Sequence, residues 1–203
     1  MKQSLLTILR NKNTGLIEFR NATKKLALIL AQETSNHLEK QEIEIITPEG
    51  KTKGVELKND IVFIPILRAA LSLLPAFLKF FEKAKVGFLG LKRDEKTTIP
   101  EIYYKNFPQI STSDDVIILD PMIATGGSGE KAIEILIKER IKEEKIIFVA
   151  VICSQEGLNR IKNKFSKIKI IYVQKDLELN KNKFIVPGLG DFGDRYFGTL
   201  NHK

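Results

Sequence analysis

DVIILDPMIATGGSGEKAIEIL, residues Asp115 to Leu136, is the stretch on which the fold reading turns. Val116, Ile117, Ile118 and Leu119 form a short apolar run, mostly β-branched, as a strand buried on both faces requires. Asp120 ends the run, and Thr125, Gly126, Gly127, Ser128 and Gly129 follow. Ala132, Ile133, Leu136, Ile137 and Ile141 then recur at helical spacing, with Glu130 in the first turn. Strand, acid, glycine-rich turn and helix make a layout that sets a phosphate on a helix N-terminus. Glycine lets the backbone come close, and free N–H groups point at the anion. Thr125 and Ser128 add hydroxyl donors. No Gly-Lys-Ser/Thr follows and the spacing is not G-x-G-x-x-G, so neither a Walker loop nor a dinucleotide fingerprint is present.

Outward from this stretch, apolar strands alternate with helical patterns. Asp60–Leu67, Lys85–Leu91, Lys145–Ile152 and Lys169–Val173 read as strands, and Thr14–Glu33 and Gln155–Phe165 as helices, the latter opened by Ser154. Such alternation predicts an α/β fold: a doubly wound, mostly parallel sheet with helices on both faces. Ligands on such sheets sit at the carboxyl ends of the strands. Arg68, after the strand DIVFIPIL, and Asp120 both fall there. Arg68 opens a helix carrying Leu71, Leu74, Leu78 and Phe81, with Pro75 inside it as an expected kink. A cation is disfavoured at the positive end of a helix, and an anion bound beside Arg68 resolves the conflict. Glu42–Thr47 and Lys53–Leu57, joined through Pro48-Glu49-Gly50-Lys51, read as an exposed β-hairpin flap. Glu101–Tyr104 reads as a strand beyond the charge run Lys92–Thr98. The tail Phe184–Leu200, FIVPGLGDFGDRYFGTL, is too rich in glycine for an ordinary helix or strand.

Composition narrows the functional classes. A length of 203 residues suits one domain with a sizeable core. The single Cys153 permits no internal disulfide and fits a reducing cytoplasm, and His37 and His202, far from other ligand types, argue against a zinc site. No apolar run reaches the roughly 18 residues of a membrane span, and no signal-peptide pattern opens the chain. The net charge of +8 suits anionic partners, but the cations are scattered lysines, which favours a biased composition. Seven of the 33 cationic side chains are Arg, the better bidentate phosphate partner, which makes these seven the stronger phosphate candidates.

The order Asp120-Pro121-Met122-Ile123-Ala124-Thr125-Gly126-Gly127-Ser128 resembles the ribose-5-phosphate loop of type I phosphoribosyltransferases. A single acid followed by Pro resembles the uracil phosphoribosyltransferase branch. Three further motifs, in the right order, extend the resemblance over nearly the whole chain. Pro65-Ile66-Leu67-Arg68-Ala69-Ala70 resembles the diphosphate loop, with Ala70 in place of the usual Gly. Lys92-Arg93-Asp94-Glu95-Lys96-Thr97 resembles the mobile Tyr-Arg-x-Glu-x-Thr loop, and Pro187-Gly188-Leu189-Gly190-Asp191-Phe192-Gly193-Asp194 the uracil-binding hood. Asp176-Leu177-Glu178-Leu179-Asn180 departs from the usual Asp-x-Gly-Leu-Asn.

The resemblance implies formation of UMP and diphosphate from uracil and 5-phospho-α-D-ribose 1-diphosphate (PRPP), with Mg²⁺ carried mainly by PRPP rather than by protein ligands. It places PRPP on Arg68, Arg93, Asp120 through Ser128, and Asp191, and uracil on Ile185, Gly190, Asp191 and Phe192, largely through backbone. Asp120, Asp191 and Arg68 are its catalytic candidates, and no general base is implied. The implied organisation is a single domain over 1–203, with an N-terminal arm at 1–12 and a hood from about 176 to 203. Cytoplasmic homodimers or higher homo-oligomers follow, with Arg10 and Arg20 as interface candidates and GTP as a candidate effector; no nucleic acid or membrane partner is implied. A second reading is a non-catalytic PRPP/UMP-sensing regulator on the same fold. The basic charge motivates it, but the hood, the single acid and the lack of clustered Arg or exposed aromatics count against it.

Overall fold

The apolar runs become the centre of an eight-stranded sheet in the computed structural model, which describes residues 1–93 and 100–199, with Arg93 described by its backbone alone. Two helices come first, α1 (Lys2–Arg10) and α2 (Leu16–Ser35). A hairpin of β1 (Lys40–Thr47) and β2 (Gly50–Leu57) forms a separate two-stranded sheet, largely exposed along both strands. Then follow β3 (Ile61–Leu67), a 3₁₀ turn (Ala69–Ser72), α3 (Leu74–Phe80), β4 (Lys85–Val86), β5 (Phe88–Arg93) and β6 (Pro100–Asn106). The second half comprises β7 (Asp115–Leu119), β8 (Met122–Ile123), α4 (Gly127–Lys138), β9 (Ile146–Ser154), α5 (Gln155–Lys164) and β10 (Lys169–Asp176). The chain closes with β11 (Glu178–Leu179), β12 (Ile185–Val186) and α6 (Phe192–Phe197).

The main sheet runs β10-β9-β7-β3-β5-β6, with β4 beside β3 and β8 beside β9. All its pairings are parallel except β5 with β6. Alternate residues divide the core. Phe63, Ile117, Leu119, Val149 and Val151 pack towards α1, α2, α3 and Phe192, whereas Val62, Ile64, Val116, Ile118 and Phe148 pack towards α4 and α5. Every residue of β9 is buried, as a parallel strand covered on both faces must be.

Topology positions the site. From β3 the chain crosses to β4 and β5 on one side, and from β7 to β9 and β10 on the other, so the direction of winding reverses between β3 and β7. These two strands pair in register from Ile61 opposite Asp115 to Pro65 opposite Leu119. A crevice opens where adjacent connections leave in opposite directions, and ligands of open α/β sheets bind there.

Several local expectations are corrected. The helix expected after Arg68 is two pieces, and Pro75 stands in the first turn of α3, where an N–H has no intrahelical partner and Pro is tolerated; no kinked helix forms. The Lys85–Leu91 strand is interrupted at Gly87 and continues to Arg93. Ile141 lies beyond α4, because Arg140 turns the chain at φ 66°, yet it remains buried. The glycine-rich tail does contain a helix, α6, capped by the Asp191 carboxylate, which accepts the Asp194 N–H. The interface candidates Arg10 and Arg20 also make contacts within the chain, Arg10 with Asp176 and Arg20 with the Tyr196 carbonyl, which leaves their expected interface role open. No helix among the described residues is long and apolar enough to cross a membrane.

Candidate active site

Asp120 occupies a break between two strand segments that share one neighbour. Its N–H donates to Val149 O (3.1 Å), and Pro121 O accepts from both Val151 N (3.0 Å) and Ile152 N (3.1 Å). β8 then resumes beside β9, Met122 opposite Ile152. Pro121 has no N–H to leave unpaired at this break. The carboxyl group accepts one long bond, from Met122 N (3.3 Å), and has no cationic partner among the described residues. Desolvation therefore dominates, and the Asp120 pKa rises to about 7. The neighbouring Cys153 thiol is pushed up by its own burial and then by the Asp120 carboxylate, so it remains protonated and inert.

Gly126 turns the chain into α4 with φ 77°, a conformation that glycine takes without steric cost. A side chain there would also strike Gly157 O, 2.7 Å from the position of a Cβ. The first intrahelical bond of α4 is Glu130 N to Gly126 O (2.8 Å), which leaves the Gly127, Ser128 and Gly129 amides without intrahelical acceptors. Together with Asp120 and residues 122–126 they line a cavity of about 100 Å³ at the positive end of the helix. Glu130 turns away from this cavity to pair with Arg160 and with Lys164 (2.7 Å) on α5.

Two residues outside the expected site set support this loop. Ser154 Oγ donates to Ala124 O (2.5 Å) and accepts the Gly157 N–H (2.8 Å), so one hydroxyl joins the phosphate loop to the start of α5. A Cβ on Gly157 would collide with Ala124 O. Ser154 is legible in the sequence as an N-cap, but its second partner lies 30 residues away.

Arg68 follows β3 at the next strand over from Asp120. It is exposed, and its side chain has no hydrogen-bond or ion-pair partner among the described residues. The Ala70 methyl, in place of glycine, is fully buried in the core and does not crowd the exposed side of the loop. The hood reaches the same place: a Cβ on Gly193 would stand 3.6 Å from Ala69 Cβ and 3.4 Å from Asp191 Oδ1. Asp191 is exposed beside the Arg68–Ala70 turn. Phe192 and Ile185 are buried, Phe192 edge-on to Phe19 at 5.2 Å, so a ligand can meet them only through backbone. Arg93 ends β5, and residues 94–99 of the charged loop lie outside the described residues. The structure thus brings together Arg68, Asp120, the 121–129 loop and Asp191. A larger cavity of about 780 Å³ between α1 and α2 is lined mainly by apolar side chains, away from this edge.

Among the described residues no group of three or more His, Cys, Asp or Glu side chains could hold a metal ion. Any divalent ion in this crevice would have to bring most of its oxygen ligands from a bound phosphate compound.

Comparisons with known proteins bear on the family and the fold. The uracil phosphoribosyltransferase family model matches residues 1–199. The uracil phosphoribosyltransferase of Mycoplasma genitalium is 43% identical over 194 residues, 96% of this chain and 93% of the relative. That of Dictyoglomus thermophilum is 41% identical over 198 residues, 97% of this chain and 95% of the relative. A solved protein from Aquifex aeolicus superposes with a TM-score of 0.89 at 37% identity, covering 100% of this chain and 96% of the other. A hypoxanthine-guanine phosphoribosyltransferase from Bacillus anthracis shares the fold alone, with a TM-score of 0.52 at 10% identity over 79% of this chain and 80% of that one.

Proposed function

The chain belongs to the uracil phosphoribosyltransferase family, and from that premise we propose that it converts uracil and PRPP into UMP and diphosphate. The observation that carries the reading is the convergence, at the point where the sheet reverses its winding, of the Asp120 carboxyl, the open N-terminus of α4 and the hood. The 5-phosphate would accept from the amides of Gly127, Ser128 and Gly129, with the Thr125 and Ser128 hydroxyls beside them. Asp120 would accept from ribose hydroxyls, which favours its ionised form. Arg68, exposed and without a partner among the described residues, would hold the diphosphate, and Arg93 is assigned to the same task.

The reaction asks for alignment rather than a protein nucleophile. As the bond from C1 to diphosphate stretches, positive charge grows on the ribose and negative charge on the leaving group. N1 of uracil attacks from the opposite face, and its proton is released to water as the bond to C1 forms and the bond to diphosphate breaks. Asp120 and Asp191 would face the ribose, Arg68 the diphosphate, and the hood would hold the base in line. A divalent ion, assigned here as Mg²⁺, would supply further charge neutralisation on the diphosphate. The regulatory reading gains no support from the comparisons. Pyrimidine salvage by a homodimer or larger assembly is part of this proposal, and light scattering tests the assembly. The deciding assay is UMP formation from uracil and PRPP with Mg²⁺; absence of UMP from a folded protein would remove the assignment.

A further inference from the structure

The hood turn Gly188–Gly190 is held from behind by two of the seven arginines. Arg10 Nη1 lies 2.8 Å from Gly188 O and 2.8 Å from Asp176 Oδ2, while Nη2 lies 2.7 Å from Asp176 Oδ1. Asp176 Oδ2 also accepts the Gly188 N–H at 2.9 Å. Both backbone polar groups of Gly188 therefore end on one ion pair. The next carbonyl, Leu189 O, accepts from Arg195 Nη1 at 2.8 Å, and that guanidinium also donates to Leu9 O and to Asn11 O (2.7 Å) at the end of α1. Two consecutive carbonyls thus face inward, and the N–H and C=O of Gly190 remain without partners among the described residues. Arg195 further lies over the Phe19 ring, 4.5 Å from its centroid, and Phe19 packs on Phe192.

The Asp176 side chain is 5% exposed and that of Arg10 24%. Arg10 beside it, with the Gly188 N–H, holds the Asp176 carboxyl below the usual carboxylate range despite burial, so this carboxylate stays ionised at neutral pH. A buried pair of this kind adds little net stability over an apolar pair of the same shape. What it supplies is direction, because a planar guanidinium fork fixes the carboxylate and the carbonyl together.

We propose that Arg10 and Asp176 are positioning residues for the base: by fixing both polar groups of Gly188 they anchor the start of the turn, and with Arg195 on Leu189 O they hold it where the hood presents Gly190 to uracil. The inference rests on the hood being the uracil site. It requires α1, outside the sheet, to act on base recognition and not on the phosphate loop.

The test compares wild type with Arg10→Lys and Asp176→Asn in full-length enzyme. KM for uracil, KM for PRPP and the calorimetric Kd for PRPP are measured for each. Lys keeps the charge but not the fork, and Asn keeps the shape but not the charge. The expected result is a rise of about tenfold in the uracil KM, about 1.4 kcal/mol, with the PRPP Kd unchanged within about twofold. Selectivity against cytosine should fall with it. A folded variant whose uracil KM is unchanged, or whose two KM values rise equally, overturns the inference. If Asp176→Asn does not fold, Arg10→Lys decides by the same criteria. A wild type that forms no UMP overturns the proposed function and this inference together; a wild type that forms UMP beside unaffected variants overturns the inference alone.

Discussion

Replacing Asp120 with Asn should stabilise the free protein while weakening PRPP binding, and the stabilisation should depend on pH. Asn keeps the shape and the acceptor for Met122 N–H but cannot ionise. In the folded chain Asp120 titrates near 7 against an ordinary 3.8, because burial penalises its charge. The folded state therefore binds the proton more tightly than the unfolded one. Stability from this group is fully present below about pH 4 and is lost as pH rises through about 7. At about 1.4 kcal/mol per pH unit, the full loss above pH 7 is about 4 kcal/mol, and water entering the open crevice should reduce it to about 2–4. For a domain of this size each kcal/mol moves Tm by about 2–4 °C, so Asp120→Asn should melt about 5–15 °C higher at pH 8. By pH 5 the advantage should fall below about half of that. PRPP affinity should drop at least about tenfold, through loss of a charged acceptor for ribose hydroxyls. Calorimetric melts at pH 5 and pH 8, with PRPP titrations, measure both effects. An equal Tm difference at the two pH values, or a variant less stable at pH 8, would refute the desolvation argument.

Three further outcomes are expected. Gly157→Ala should lower stability by about 1–3 kcal/mol and raise the PRPP KM, because the new methyl strikes Ala124 O; a thermal melt and steady-state kinetics check it, and an unaltered PRPP KM would show that the loop yields freely. Arg68→Ala should leave stability within about 0.5 kcal/mol, since the side chain is exposed, yet weaken PRPP at least tenfold by calorimetry; equal affinity would remove Arg68 from the site. Uracil should exceed cytosine in kcat/KM by about 10⁴-fold, because cytosine reverses two hydrogen-bond pairings and leaves buried groups unpaired; a ratio near one would dismiss the hood assignment.

The central sheet and its site edge were legible because their signals are local. A run such as Val116–Leu119 can be buried on both faces in few ways, and an acid and glycines at its end mark where the chain turns towards a ligand. Ser154 was visible as a helix cap for the same reason, since its partner Gly157 is three residues on. The resemblance to a known family then supplied the hood and the names of the substrates.

Tertiary structure decided what depends on partners distant in the chain. The break of one expected strand falls at Gly87, where a Cβ would meet Ile64 and Pro108 at 2.9 Å. The Asp120 pKa comes from atoms that surround it only after folding, because charge is penalised by the environment and not by neighbours in sequence. Arg10 and Asp176 stand 166 residues apart, and no periodicity or motif links them. Sequence by itself determined the central strands of the sheet, which edge bears the acid and the phosphate loop, and the family resemblance. Only the folded chain determined which side chains hold that loop and the hood in place, because hydrogen bonds and desolvation act through space once the backbone has brought their groups together.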